Sequence, residues 1–322
     1  MNNQPPTDAA KRSTRRRIAL VIVAAALLCG IVVFAWLRRH PQPLSTTSRP
    51  LYQGITYRLD VRTSPRRLVI HVITVDLTAP GLSFLVTPPA STGPRPLRGQ
   101  TTSSFLHQYG VQVAVNGDYF YPFRSHTVLD YYPHAGDPVS VEGVAASRGV
   151  IYSGAQRTAE AWKIRYPTLY ISKDNQASFR TPIGLVYNAV SGNSMILRDG
   201  RNIYAGKKKR RHPEPCTSVA LDKTGKTMWI VVVDGRQPGY SDGLGMEEFG
   251  ELLRSYGAWS ALDLDGGGSE SLVVEGPRGA PQRLNRPMDC GIPGRERVVA
   301  NHLGVFALPL KSTRNNTGVS GP

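Results

Sequence analysis

A chain of 322 residues, 40% apolar and 19% charged, is long enough to bury one large core or two ordinary ones and too apolar for a disordered polymer. Its 32 glycines and 25 prolines argue for many short strands joined by turns and against a helical bundle. The formal charge of +16 suits anionic partners.

Residues 1–17 form a basic tail with Lys11, Arg12, Arg15, Arg16 and Arg17, and residues 18–37 are uncharged and apolar. Twenty residues at about 1.5 Å each match a hydrocarbon core of roughly 30 Å. A cleaved signal peptide has a shorter apolar region and a small-residue cleavage site, whereas this run ends in Trp36-Leu37-Arg38-Arg39. The reading is an uncleaved signal-anchor. With five basic residues before the span and two just after it, the N-terminus is expected in the cytoplasm and the body in the periplasm or outside the cell. Nucleic acid is not expected as a partner there. The densest basic run, Lys207–Arg211, reads either as a solvated loop or as an attractor for an anionic polymer or lipid surface.

Residues 38–50, rich in Pro, Ser and Thr, read as a stalk, and 51–310 as the folded domain. Arg67–Val75 and Leu82–Val86 are strand-like and flank Pro80-Gly81, which predicts a hairpin or meander. Residues 87–100 hold four prolines and two glycines and predict an extended loop. Thr102 is placed to cap a helix running to Tyr109, with Gly110 at its end. Val111–Val115 predicts a strand stopping at Asn116-Gly117-Asp118. Residues 121–204 show short strands and turns without a clean helix, and 311–322 read as a disordered tail.

The last third is the most legible. Met228–Val233 is continuously apolar, the pattern of a strand buried on both faces. Met246–Tyr256 carries Phe249, Leu252, Leu253 and Tyr256 on one helical face, with Glu247 and Glu248 in the first turn and Gly257 as the stop. Trp259–Asp265 is the next strand. Strand, helix, strand with short connections predicts a crossover between parallel strands, which end on the same sheet edge. Asp234 closes one strand; Asp263 and Asp265, sharing a face by alternation, close the other. The fold class expected is therefore α+β: mixed, strand-rich sheets with few short helices, one strand-helix-strand crossover, and an N-terminal transmembrane helix.

Leu264-Asp265-Gly266-Gly267-Gly268-Ser269 has no lysine for a phosphate loop, and it runs into Leu272-Val273-Val274 rather than a dinucleotide-binding helix. Its glycines remove the alternate oxygens of a calcium loop. A divalent cation on Asp263 and Asp265 stays possible; no other cofactor is expected. A glycine elbow flanked by acids suits glycosidic bond cleavage by paired carboxyl groups. Cys216 and Cys290 are the two cysteines of the body, and an oxidising compartment would let them pair.

These residues together resemble the phosphodiester glycosidase family, which includes bacterial exopolysaccharide-related members. The resemblance rests on Asn116–Phe120, Ala189–Gly192, Val233–Gly239, Leu264–Ser269 and Arg297–Asn301, in the family's order over about residues 69–308. It implies hydrolysis of a sugar-1-phosphodiester, with Asp234 and Asp265 as the reactive carboxylates. Asn116, Thr217, Ser269 and Asn301 would then bind sugar hydroxyls or phosphate, and Gly266, Gly267 and Gly268 would supply backbone donors. Asp118, Ser191, Arg236, Asp263 and Arg297 complete the expected binding set. Two positions depart from the family. Asp118 stands where Gly or Ser is usual, and Cys216 stands where the family commonly has arginine. The second leaves open a non-catalytic carbohydrate-binding protein on the same scaffold, beside a metal-dependent phosphodiesterase at Asp263 and Asp265.

Overall fold

The computed structural model describes residues 8–39, 44–153, 166–207, 210 and 212–311, in two compact units, 1–44 and 45–322. The expected tail falls, except for Lys311, outside the described residues.

The first unit holds one helix, α1 (Asp8–Arg39). Within it Arg16–Phe34, 19 residues of mean hydropathy 2.7, is long and apolar enough to cross a membrane, a profile shared by signal sequences.

The second unit is a sandwich of antiparallel sheets. Its principal elements in chain order are β1 (Thr47–Tyr52), β2 (Ile55–Arg62), β3 (Leu68–Asp76), β4 (Ser83–Val86), α2 (Thr102–Tyr109), β5 (Val113–Asn116) and β6 (Ser194–Arg198). They continue with β7 (Cys216–Leu221), β8 (Thr227–Val233), α3 (Met246–Ser255), β9 (Ser260–Asp263), β10 (Leu272–Glu275), β11 (Pro281–Arg283) and β12 (His302–Phe306). One sheet runs β1-β2-β3-β8-β7-β9-β6 and ends in a short strand at Arg201–Asn202; the facing sheet runs β11-β10-β5-β12-β4. A smaller five-stranded sheet is drawn from residues 145–191.

Alternation explains the layering. Met228, Ile230 and Val232 of β8 enter the core between the two sheets with Leu262, Val115, Leu272 and Val305. Val231 and Val233 point the other way, against Phe249, Leu252 and Leu253 of α3. A strand sandwiched between a sheet and a helix has to be apolar on both faces, which is why MWIVVV carries no alternation. The opposite layer is covered by α2, whose Phe105 and Leu106 pack on Leu85, Ala114 and Val273.

The strand-rich class with few helices is as expected, and three local expectations are corrected. The strands around Pro80-Gly81 do not form a hairpin: β3 pairs with β2 and β8 in one sheet, while β4 pairs with β12 in the other. The turn changes layers, so each strand buries its apolar face from an opposite side of one core. The cap of α2 is Thr101, whose hydroxyl accepts the Ser104 amide at 3.1 Å, and Gly110 ends the helix at φ 65°. Part of the expected stalk is sheet, since β1 begins at Thr47 and pairs with β2. The crossover strands β8 and β9 are parallel to each other but not neighbours. β7 lies between them and is antiparallel to both. Their C-terminal ends still meet one edge.

Candidate active site

That edge collects the acids. Asp234 follows β8, Asp263 closes β9, and Asp265 lies two residues on. The facing sheet contributes β5, which ends in Asn116 and brings Asp118 to the same place. The Asp265 amide stitches the sheets here by donating to the Gly117 carbonyl at 3.0 Å, and the Gly117 amide continues the β5–β12 pairing by donating to the Asn301 carbonyl at 2.9 Å. The Gly235 turn packs hard on residue 215, for a Cβ there would stand 2.5 Å from the Pro215 nitrogen.

The four aspartates have different surroundings. Asp234 is fully buried and accepts from four donors: His71 Nε2 at 3.2 Å, the Tyr240 hydroxyl at 2.9 Å, Asn285 Nδ2 at 3.2 Å and the Arg286 amide at 3.0 Å. His71 is held in turn by the Tyr57 hydroxyl, 2.9 Å from Nδ1. Fixed donors within the fold thus satisfy this carboxylate. Asp263 is ion-paired with Arg210, and Asn193 Nδ2 lies 3.5 Å from it. Burial pushes its carboxyl up, and the guanidinium opposes that shift.

Asp118 and Asp265 are the two acids of the edge whose carboxyls burial raises towards neutrality. Burial raises Asp118 to about 8, against the pull of the Gly143 and Tyr119 amides, and nearby Asp265 adds to the rise. Its Oδ2 accepts the Gly143 amide at 2.8 Å, while Oδ1 has no hydrogen-bond partner among the described residues. Asp265 is raised to about 7, again by burial, with the Ser269 hydroxyl and the Arg297 charge pulling it down. Two buried carboxyls that feel each other and titrate near neutrality are what acid–base chemistry at pH 7 requires.

The glycine elbow is packed tightly around Asp265. Gly267 adopts φ 61°, and its amide donates to the Pro215 carbonyl at 3.0 Å. That donor, expected to face a ligand, is used inside the fold. A Cβ on Gly266 would stand 2.7 Å from the Pro215 carbonyl oxygen, and one on Gly268 2.2 Å from an Arg297 guanidinium nitrogen. Arg297 lies along the elbow, with Nε on Asp289 at 2.8 Å, one terminal nitrogen on Ser269 Oγ at 3.1 Å, and its carbon 4.7 Å from the Phe123 ring centre.

Residues 109–306 match the family model described as phosphodiester glycosidase. The chain belongs to that family. Solved structures share the fold. The zebrafish N-acetylglucosamine-1-phosphodiester α-N-acetylglucosaminidase catalytic domain, auto-inhibited by its pro-peptide, matches at 19% identity and TM-score 0.56, over 84% of this chain and 92% of that one. A hypothetical protein from Synechocystis matches at 16% identity and TM-score 0.52, covering 83% of this chain and 64% of that one, so the chain spans under two thirds of that relative. A protein from Burkholderia pseudomallei described as exported matches at 14% identity and TM-score 0.50, over 78% and 76%. At these identities the structures speak for the fold alone. Among curated protein sequences none matches.

Within this phosphodiester glycosidase fold, several expected binding residues are building parts of the site. Asn116 is buried; its Nδ2 donates to the Asp265 carbonyl at 2.6 Å, and its Oδ1 accepts from the Ser271 amide at 3.0 Å and the Thr217 hydroxyl at 3.3 Å. Ser191 Oγ donates to the Val144 carbonyl at 2.8 Å and meets Thr168 Oγ1 at 2.7 Å. Asn301 Oδ1 accepts the Asp118 amide at 2.8 Å. Arg236, at φ 57°, lies beside Gly267 of the elbow and pairs with Glu214, both side chains nearly half exposed. The family model supports a glycosidase-type function for the domain.

The expected disulfide is not formed. Cys216 is buried at the start of β7, its Sγ 3.2 Å from the Glu214 carbonyl and 3.5 Å from that of Leu244. Cys290 sits at a turn with φ 49°, its Sγ 3.2 Å from Ser125 Oγ. The two thiols thus point into different neighbourhoods. A divalent cation does not fit Asp263 and Asp265 either, because the Arg210 guanidinium takes the place of a cation at Asp263. Among the described residues no group of three or more His, Cys, Asp and Glu is arranged to hold a metal ion.

The sequence reading missed two charged residues. Arg210 lies inside a basic run whose sequence pattern does not single it out. Glu270 follows the elbow and is fully buried, with neither carboxyl oxygen partnered among the described residues. A glutamate after a glycine run gives no sign of burial by itself.

Proposed function

We propose that this chain is a membrane-anchored, extracytoplasmic glycosidase that hydrolyses a sugar-1-phosphodiester linkage in an envelope or exopolysaccharide glycan. The N-terminal apolar helix, preceded by basic residues, supports the anchor with its N-terminus in the cytoplasm. The resemblance in fold to an exported protein and to an N-acetylglucosamine-1-phosphodiester glycosidase supports the compartment and the bond type.

The observation that carries the reading is the coupled pair of buried carboxyls, Asp118 and Asp265, titrating at about 8 and about 7. Asp265, ionising first, takes a proton from a water molecule as the water oxygen bonds to the anomeric carbon. The bond from that carbon to the bridging oxygen breaks, and its electron pair leaves with the phosphate monoester. Asp118, still protonated, donates its proton or a hydrogen bond to that leaving oxygen. Phosphate is a good leaving group, so the heavier demand falls on the base and on positioning. Asp234 then anchors the strand end through His71, Tyr240 and Asn285, and Asp118 takes the role first expected of it. Ser269 and Arg297 hold the Asp265 carboxylate and face the sugar or phosphate.

Release of free sugar from a synthetic sugar-1-phosphodiester tests this. Turnover is expected to survive chelator and to fall by roughly 10²–10⁴-fold in Asp265→Asn. A sugar-phosphate product lost on chelation would point instead to a metal phosphodiesterase. Tight binding without turnover would point to a carbohydrate-binding protein on the same scaffold.

A further inference from the structure

Arg210 belongs to the basic run 207–211, where one reading is plain solvation. Its backbone says otherwise. It is a non-glycine residue at φ 57°, a conformation kept only where the surroundings hold it. What holds it is α3: the Met246 amide, in the first turn of that helix, donates to the Arg210 carbonyl at 3.0 Å. The side chain is turned in across the acid edge, 31% exposed, onto an Asp263 carboxylate that is 2% exposed. The guanidinium also hydrogen-bonds Tyr204, and its charge is felt at Tyr119 and Cys216. Asp263 and Tyr204 engage part of a fork that has five N–H donors.

The charge balance of the edge gives this placement a consequence. An anionic phosphodiester approaching four aspartates would be repelled unless each is compensated. Asp234 is satisfied by its donors, and Asp118 and Asp265 are kept wholly or partly protonated by burial. Asp263 is the acid whose charge needs a cation. Two other arginines near the elbow carry partners of their own: Arg297 spans Asp289 and Ser269, and Arg236, beside Gly267, pairs with Glu214.

We propose that Arg210 is the phosphate-positioning residue of this site, cancelling the charge of Asp263 and offering its remaining N–H donors to a phosphodiester. The proposal rests on the sugar-phosphodiester reading above. A planar guanidinium is suited to the task because it binds two phosphate oxygens at once while keeping a carboxylate on its other side.

The test uses the full chain in detergent micelles, with melting curves to confirm folding of each variant. Inorganic phosphate is titrated by calorimetry into the wild type, Arg210→Gln, Arg210→Lys and Asp263→Asn. Arg210→Gln is expected to weaken phosphate binding by roughly ten-fold or more, with Arg210→Lys intermediate because it keeps the charge without the fork. Asp263→Asn, which frees the guanidinium, is expected to tighten it. These opposite signs separate the proposal from a purely structural ion pair, where both changes would act alike. Turnover adds a second reading: Arg210→Gln should lose a sugar-1-phosphodiester while keeping the 4-nitrophenyl glycoside of the same sugar. Undiminished phosphate binding in Arg210→Gln, or weakening by both single changes, overturns the proposal. If Arg210→Gln does not fold, Arg210→Lys and Asp263→Asn carry the same comparison. Absence of sugar-1-phosphodiester turnover in the wild type would instead sink the functional reading, and the phosphate titration would still decide Arg210.

Discussion

Glu270 shows how much one residue can owe to its surroundings. It is a carboxyl with no exposure and no hydrogen-bond partner among the described residues, near enough to Asp234 and Arg236 to feel their charges. Burial pushes it well above the ordinary glutamate value, so the folded protein keeps it neutral. An unmade hydrogen bond of this kind costs about 1–3 kcal/mol, and ionising the group in place would cost more. Glutamine has the shape of the neutral acid without its proton. Glu270→Gln should therefore match the wild type near pH 4 and be the more stable protein at pH 8–9, read as urea midpoints. Midpoints that differ by the same amount at both pH values would show that Glu270 does not titrate with folding. The same physics limits what could be read beforehand. Asp234, Asp263 and Asp265 were legible as acids of one sheet edge because a turn after a strand places them. That Asp234 is saturated while Asp118 is not depends on His71, Tyr240 and Asn285, which lie 163, 6 and 51 residues away.

At the scale of elements, the glycine elbow is the part whose geometry most constrains the site. Its three glycines meet different walls. Gly266 lies against backbone at Pro215, and Gly268 against the far end of the Arg297 side chain. Backbone cannot yield cheaply, but a guanidinium can move. Gly268→Ala is thus expected to leave the melting temperature nearly unchanged while lowering kcat/KM at least roughly ten-fold, by pushing Arg297 off Ser269 and Asp289. A large loss of stability, or unaltered kinetics, would mean that Arg297 does not support Asp265. The elements themselves were mostly readable. The apolar run of β8, the amphipathic pattern of α3 and the Gly110 stop of α2 each carry a local cause. Pairing was less so: nothing between Asp76 and Ser83 tells β3 and β4 to join opposite sheets, because the decision lies in partners β8 and β12, more than 150 residues away.

For the whole molecule, the raised carboxyls link stability to pH. Asp118 at about 8, Asp265 at about 7 and Glu270 above its ordinary value each hold a proton in the folded state that the unfolded chain has released by about pH 4–4.5. Their contribution is full below that point and is lost as pH rises towards the folded values, at up to ~1.4 kcal/mol per pH unit for each group. His302, buried and lowered to about 3, acts in the opposite sense between pH 3 and 6.5, where the unfolded chain binds the extra proton. Above pH 6.5 only the carboxyls remain, so stability of the 45–322 unit should fall between pH 6.5 and 8. Asp118→Asn should flatten that fall. A midpoint that rises over this range in the wild type would contradict the assignment of neutral acids.

What the sequence determined by itself was set by short-range rules. Apolar runs and their periods fixed strands and helices, a long uncharged span after basic residues fixed the candidate membrane segment, and the ordered motifs from Asn116 to Asn301 identified the family. What the tertiary structure alone decided was which charges compensate one another. It inserted β7 between the crossover strands, kept Cys216 apart from Cys290, enclosed Asp234, left Asp118 beside Asp265, and turned Arg210 onto Asp263. Burial and partner choice depend on contacts between residues distant in the chain, and the chemistry of an acid depends on burial and partners. The elbow LDLDGGGSE could therefore be placed at the acid-bearing sheet edge before the surroundings of its acids could be known.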